Sequence, residues 1–316
     1  MVIGTFDRIR EVEVARVFAG VARRKAAGDD GLVAEMLQQA PSLVKTETCL
    51  FNMILKTGRF PDQMLQAAMV PLGKPNRGPE ICGSKRPTSL TPAVSRALEA
   101  VVLHGLVMRH EAVLDSRQYA YRRERGTGMR LLELSDFVRA SRNAGKYVYV
   151  ASIDAASAFD NVPHSQLIRT AQEWGIDPSL CKYTRNWSRN RVFRLRLMAP
   201  KGRYFSSRRR IQSGVPQGGV LSPFLWLAHV NPLVSRVMEA RRSSRGVLQG
   251  VDMCLLLCAG DVACALAHTS VACLRRTAEA LERVCKEELA KPGLSTEPAE
   301  SENFILELNY GGDSPF

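Results

Sequence analysis

"LLLCAGDVACAL", residues 255–266, consists of two apolar runs joined at the bend Ala259-Gly260-Asp261. Such runs on either side of a glycine-containing bend predict a hairpin of two strands. A lone aspartate at a hairpin tip is an ordinary turn residue. It acquires chemical meaning only if the chain brings it a second carboxylate.

A second carboxylate stands in "YVYVASIDAASAFD", residues 147–160. This β-branched and aromatic run predicts a buried strand ending near Asp154, with Phe159 five residues on and Asp160 beside it. By itself, an aspartate at a strand end is more commonly a cap or turn residue than a metal ligand. Between the two stretches lies "SGVPQGGVLSP", residues 213–223, with Gln217-Gly218 at its centre. Its glycines let backbone approach a ligand closely, and they equally suit a plain connection.

The chain of 316 residues is 45% hydrophobic, enough for a sizeable core. Lys plus Arg number 44 against 31 Asp plus Glu, a formal charge of +13, which favours polyanionic partners, nucleic acid before an acidic membrane surface. Acidic residues in "MVIGTFDRIREVEVARVF" interrupt any signal peptide, and no segment reaches the ~18 apolar residues of a membrane span. The expectation is an intracellular protein, nuclear or cytoplasmic, with no membrane partner. Without an export signal the eight cysteines read as free thiols, and their spacing matches no zinc motif.

Residues 8–70 read as helices with polar breaks, one of them "KAAGDDG" at 25–31. A short strand in "QAAMVPLG" then runs into a basic Gly/Pro loop at Gly73 to Pro79. Thr91 followed by Pro92 is a helix-start signal, and Val94, Ala97, Leu98, Val101 and Val102 recur at helical spacing behind it. Residues 129–140 predict a further helix. From 182 to 210 the chain has eleven Lys or Arg and no acid, and "RVFRLRLMAPKGRYF" alternates apolar and basic residues around "APKG". That pattern predicts a hairpin with one basic face, and with Trp187, Phe193, Tyr204 and Phe205 alongside it points to nucleic-acid contact through Arg191, Arg194, Arg196 and Arg203.

In order and spacing these pieces resemble the reverse transcriptase domain of non-LTR (LINE-type) retrotransposons. "IDAASAFDNVPH" looks like that family's first catalytic motif, "GVPQGGVLSP" is close to its second, and "LLLCAGDVACAL" sits where its Tyr-x-Asp-Asp hairpin belongs. The likeness extends through "KAAGDDGLVAEML", "MVPLGKPNR", "KRPTSLTPAVSRALE", "RQYAYRRERGTG" and "GLSTEPAESENF", so nearly the whole chain is covered. It implies an α+β fold of polymerase fingers and palm: a helix-rich N-terminal extension with fingers over residues 1–145, and a palm over 146–316 built on a small antiparallel sheet backed by helices. Fingers elements are interleaved, one reverse transcriptase domain spans roughly residues 65–310, and no thumb is evident.

The implied activity is RNA-directed DNA polymerisation, with an RNA template, a DNA primer and deoxynucleoside triphosphates as partners and Mg²⁺ or Mn²⁺ as cofactor. Asp154 and Asp261 would be catalytic metal ligands, joined by the main-chain carbonyl of Ala155, because hard cations take oxygen donors. Phe159 would close the nucleotide pocket against a ribose 2′-hydroxyl, Lys74 and Arg86 would hold the triphosphate, and Gln217 with Gly218 would floor the pocket.

Departures from the family pattern gather at the hairpin. If "CAGD" aligns with Tyr-x-Asp-Asp, Gly260 replaces the first aspartate, a metal-bridging carboxylate, and Asp261 is the second. A one-residue slip would make Asp261 the first and Val262 the second. The unslipped register is preferred, since a slip would reverse which side chains face the core. The lysine that often protonates pyrophosphate falls at Glu300, and nothing resembles an endonuclease, a zinc-knuckle thumb or an RNase H domain. The expectation is a degenerate or truncated reverse transcriptase domain, weak or inactive because of Gly260. The competing expectation is a non-catalytic nucleic-acid-binding scaffold of the same fold. An RNA-dependent RNA polymerase with a Gly-Asp-Asp hairpin would require an aspartate at Val262.

Overall fold

The computed structural model describes residues 8–73, 85–156, 158–199, 202–243, 250–290, 295–296 and 302–306. Helices and strands mix along the chain, an α+β arrangement with two five-stranded sheets among the described residues. Two compact units form, each from two chain segments: Met1–Val113 with Phe159–Trp226, and Leu114–Ala158 with Leu227–Phe316. The units therefore interleave, where a single boundary after residue 145 was expected.

The first unit holds α1 (Glu11–Gly20), α2 (Ala34–Gln38), α3 (Leu43–Thr57), β1 (Gln66–Gly73), β2 (Lys85–Leu90) and α4 (Ala93–His110). The glycine-rich break between α1 and α2 falls where the sequence placed it. In α4, Ala97, Leu98, Val101 and Val102 are buried, so the helical spacing reports its core face. The start signal works differently from expectation: Pro92 occupies the N-cap position, and the Thr91 hydroxyl is buried without a hydrogen-bond partner.

The same unit includes α6 (His164–Glu173), α7 (Pro178–Arg189) and the strands β4 (Val192–Ala199), β5 (Gly202–Phe205) and β6 (Arg209–Arg210). Its sheet runs β2-β1-β4-β5, with β6 also on β4; β1 and β4 are parallel. The predicted hairpin is present as β4–β5, pairing Arg196 with Phe205 and Met198 with Arg203.

A buried carboxylate organises this unit. Glu99 of α4 is fully buried and accepts from Trp187 Nε1 at 2.9 Å, Arg191 Nη1 at 3.4 Å, Val220 N at 2.8 Å and Leu221 N at 3.2 Å. The Arg191 guanidinium also lies over the Trp187 ring, 4.4 Å from its centroid. A buried charge is tolerated only when paired and hydrogen-bonded, and Glu99 has both kinds of partner.

The second unit contains α5 (Thr127–Asn143), β3 (Tyr147–Ala156), β7 (Asp252–Cys258), β8 (Asp261–His268), α9 (Val271–Ala290), β9 (Ser295–Thr296) and β10 (Glu302–Leu306). α8 (Ser222–Ser243) contributes residues from Leu227 onward. The sheet order is β10-β3-β8-β7, with β9 also on β3, and every pair is antiparallel. Leu134, Phe137 and Val138 of α5 pack on the face carrying Val148, Val150, Ala263 and Ala265, while α9 packs against β3 and β8 as well. A helix on each face explains why β7 and β8 read as apolar runs and not as alternating strands.

Replacing Glu99 by Leu strips four donors of their acceptor and leaves Arg191 as an uncompensated buried charge. It is expected to destabilise the fold by about 3–5 kcal/mol in urea unfolding. Arg191→Met, which leaves Glu99 its indole and backbone donors, is expected to cost clearly less.

Candidate active site

The centre of the second unit is fixed by strand register. β3 and β8 pair so that Asp154 lies directly opposite Asp261, and β7 and β8 pair so that Cys258 lies opposite Asp261. Directly opposed residues project from one face with Cβ atoms about 4.5–5.5 Å apart, so the two carboxylates are neighbours. By alternation that face is the one on which α5 packs.

The hairpin loop is the two residues Ala259 and Gly260. Ala259 has φ +55°, a left-handed conformation unusual for a residue with a Cβ. Gly260 is not among the residues with positive φ. A Cβ added to Gly260 would lie 3.4 Å from Asp154 Oδ1, 3.5 Å from Ala158 Cβ and 3.6 Å from the Ala155 carbonyl oxygen, all ordinary contacts. The position therefore accepts a side chain, and that side chain would start beside the two other oxygen donors named from the sequence. The loop also ties to β3 through Ala155 N donating to Gly260 O at 3.0 Å.

Asp261 has a further partner that the sequence reading missed. Arg130, in the first turn of α5, places Nη1 3.8 Å from Asp261 Oδ2. The Arg130 side chain is 11% exposed and that of Asp261 51%. Two carboxylates and a carbonyl suit a hard cation by donor type. Among the described residues, however, no group of three or more Asp, Glu, His or Cys could hold a metal ion. The donor set thus falls short of the three-carboxylate complement that two divalent ions would use.

The first unit carries the remaining motif residues. Phe159 stacks on Trp226, with ring centroids 5.6 Å apart and planes at 21°. The glycine- and proline-rich loop is pinned on both sides: Val215 N donates to Phe159 O and Gly214 N to Val162 O, each at 2.8 Å, and His164 Nε2 lies 2.9 Å from Gly214 O. Gln217 Nε2 donates to Asp160 Oδ2 at 2.9 Å, while burial pushes the Asp160 carboxyl above its ordinary range. Gln217 O accepts from Ser89 N at 2.6 Å, and Gly218 adopts φ +109° with a would-be Cβ 2.7 Å from Ser89 O. Glycine is required at 218 on both counts. Arg86 is an exposed residue of β2. Lys74 lies outside the described residues.

The basic hairpin needs correction. Register places Arg194, Arg196 and Arg203 on one face of β4–β5. Arg191 is not on it: the residue is 1% exposed and committed to Glu99. Arg194 pairs with Asp29 at 2.6 Å and covers Phe205, and Arg196 donates to Ala27 O at 3.4 Å. Arg203 is exposed, as are Arg208, Arg209 and Arg210.

No helix among the described residues is long and apolar enough to cross a membrane, and the described cysteines are free thiols. Residues 72–306 match the family described as reverse transcriptase (RNA-dependent DNA polymerase). The RNA-directed DNA polymerase from mobile element jockey of Drosophila melanogaster is 28% identical over 217 residues, covering 68% of this chain and 23% of that protein. Its counterpart from Drosophila funebris is 26% identical over 279 residues, 87% of this chain and 29% of the relative. The retrovirus-related Pol polyprotein from type-1 retrotransposable element R2 of Nasonia vitripennis is 28% identical over 264 residues, 83% of this chain and 24% of the relative. The chain thus spans about a quarter of the length of these relatives. With the opposed aspartates and the pinned Gln217-Gly218 loop in the order the motifs require, the chain belongs to the reverse transcriptase (RNA-dependent DNA polymerase) family, on the non-LTR retrotransposon side that its sequence resembles.

Proposed function

We propose that this chain is an RNA-directed DNA polymerase domain of a non-LTR retroelement whose metal centre has lost one carboxylate at Gly260. It retains binding of an RNA template, a DNA primer and deoxynucleotides, with extension near background. The observation that carries the reading is the space at Gly260: its Cβ direction places a side chain in ordinary contact with Asp154 Oδ1 and the Ala155 carbonyl. In this family divalent ions stabilise the attacking and leaving oxygens of an in-line phosphoryl transfer.

The chain's own residues divide the remaining work. Asp154 and Asp261 supply negative charge at the strand ends. Phe159, held flat on Trp226, supports a preference for deoxynucleotides over ribonucleotides. Gln217, anchored by Asp160 and Ser89, supports the template and nucleotide from below, and Arg86 with Lys74 supports the triphosphate by charge. The non-catalytic scaffold remains the second reading, favoured by the incomplete donor set.

Primer extension on a poly(rA) template with Mg²⁺ or Mn²⁺ separates the two. Gly260→Asp is expected to raise extension by at least about tenfold over the parent, since even the loss of groups supporting a metal's ligands costs ~10 to 100-fold. Asp154→Asn in the same background is expected to remove the gain. Parent and Gly260→Asp both at background, with Mn²⁺ affinity also unchanged, would leave the scaffold reading standing.

Nucleic-acid binding is assigned to exposed cations and not to the paired ones. Replacing Arg203, Arg208 and Arg209 by Ala is expected to flatten the slope of log affinity against log salt by about two to three units. Arg194→Ala with Arg196→Ala is expected to change it by less than about one, because Asp29 and the Ala27 carbonyl already hold those groups. The reverse ranking would move the interface onto the Arg194 side.

A further inference from the structure

We infer that Arg130 is a built-in cation that occupies the electrostatic place of a metal beside Asp261, so that the centre is held against divalent ions by a second device besides the missing carboxylate. This rests on the reading of Gly260 as a lost ligand position, and it adds a residue outside the motifs that carried that reading.

Three observations support it. The first is location. Arg130 comes from α5, which packs on the sheet face that carries Asp154 and Asp261, and its Nη1 lies 3.8 Å from Asp261 Oδ2. That is beyond hydrogen-bond length, so the two groups interact as charges and leave the carboxylate oxygens open. The second is placement within the helix. A cation in the first turn opposes the positive end of the helix dipole, and the first turn of α5 has no acid to offset it. Local helix chemistry therefore gives no reason for an arginine at this position. The third is burial. Arg130 is 11% exposed at the side chain, and a guanidinium so enclosed requires an anion. Asp261, half-exposed, supplies it.

Charge arithmetic gives the consequence. Three carboxylates would present −3 to two divalent ions; here Asp154 and Asp261 present −2, and Arg130 returns one positive charge. A centre with a net charge near −1 has little capacity to concentrate a divalent cation, and the guanidinium repels one directly. Restoring the acid at 260 alone should therefore recover only part of the affinity, and Arg130 should set what is left.

Mn²⁺ titration of the full chain, followed by the electron paramagnetic resonance signal of free Mn²⁺, tests this without turnover. The set is the parent, Gly260→Asp, Arg130→Gln, Arg130→Lys, and each Arg130 change combined with Gly260→Asp, with urea midpoints confirming the fold. Arg130→Gln is expected to tighten Mn²⁺ binding by roughly five- to tenfold in the Gly260→Asp background, the effect of removing one nearby unit charge at near-surface dielectric. Arg130→Lys, which keeps the charge, is expected to stay within about twofold of Arg130. Equal affinity for Arg, Lys and Gln, or Lys grouping with Gln, would overturn the inference and make Arg130 a packing residue. Failure of the underlying reading shows separately: Gly260→Asp would then bind Mn²⁺ no better than the parent, while Arg130→Gln against the parent still decides whether the guanidinium excludes the ion at Asp261.

Discussion

The register between β3 and β8 is the constraint on which the candidate centre depends. A strand's side chains alternate between faces, so a shift of one residue would turn Asp154 and Asp261 to opposite sides of the sheet and move Val148, Val150, Ala263 and Ala265 out of the α5-facing core. The apolar positions thus lock the polar ones. With Cys258 opposite Asp261, the loop is limited to Ala259 and Gly260, and residue 260 is directed at Asp154 and the Ala155 carbonyl. Chemistry at the hairpin tip is set by hydrophobic packing two to six residues back along the strands.

In the first unit a single buried acid has a comparable role. Glu99 gathers the indole of α7, the guanidinium of Arg191 and the amides of Val220 and Leu221, which follow directly on the Gln217-Gly218 loop. The loop's own bonds to Phe159, Val162 and Ser89 then hold it from the other end. Backbone donors carry much of this positioning, which suits a segment that needs glycine at 214 and 218 and so has few side chains with which to anchor itself. Both units thus keep the family's supporting structure while the carboxylate complement is reduced, and the loss is confined to the hairpin loop.

Local pattern made much of this legible. The β-branched run before Asp154, the apolar runs around residue 260, the helical spacing of α4 and the alternation of β4 all reported elements that formed, since each is a periodicity within one segment. What escaped depended on partners distant in sequence. Arg191 was counted among surface cations because charge density over residues 182–210 cannot reveal Glu99, and the same holds for Arg194 with Asp29. Glu99 itself, an acid beside Leu98 and two residues from Val101, was the available sign of a buried charge. Arg130 could have been suspected as a cation placed against a helix dipole, but its partner Asp261 is visible only once the sheet is assembled. Thr91 followed a sound capping rule and lost the position to Pro92.

The central claim is that residue 260 faces the position of a missing bridging ligand. Anomalous scattering from Mn²⁺ soaked into crystals of Gly260→Asp examines it most directly. The account predicts a manganese peak bounded by the new carboxylate, Asp154 and the Ala155 carbonyl, at metal–oxygen distances of about 2.1–2.2 Å, and absent from parent crystals soaked in the same way. A Gly260→Asp side chain that turns to solvent, with no manganese at Asp154 or with manganese at Asp261 alone, would contradict it.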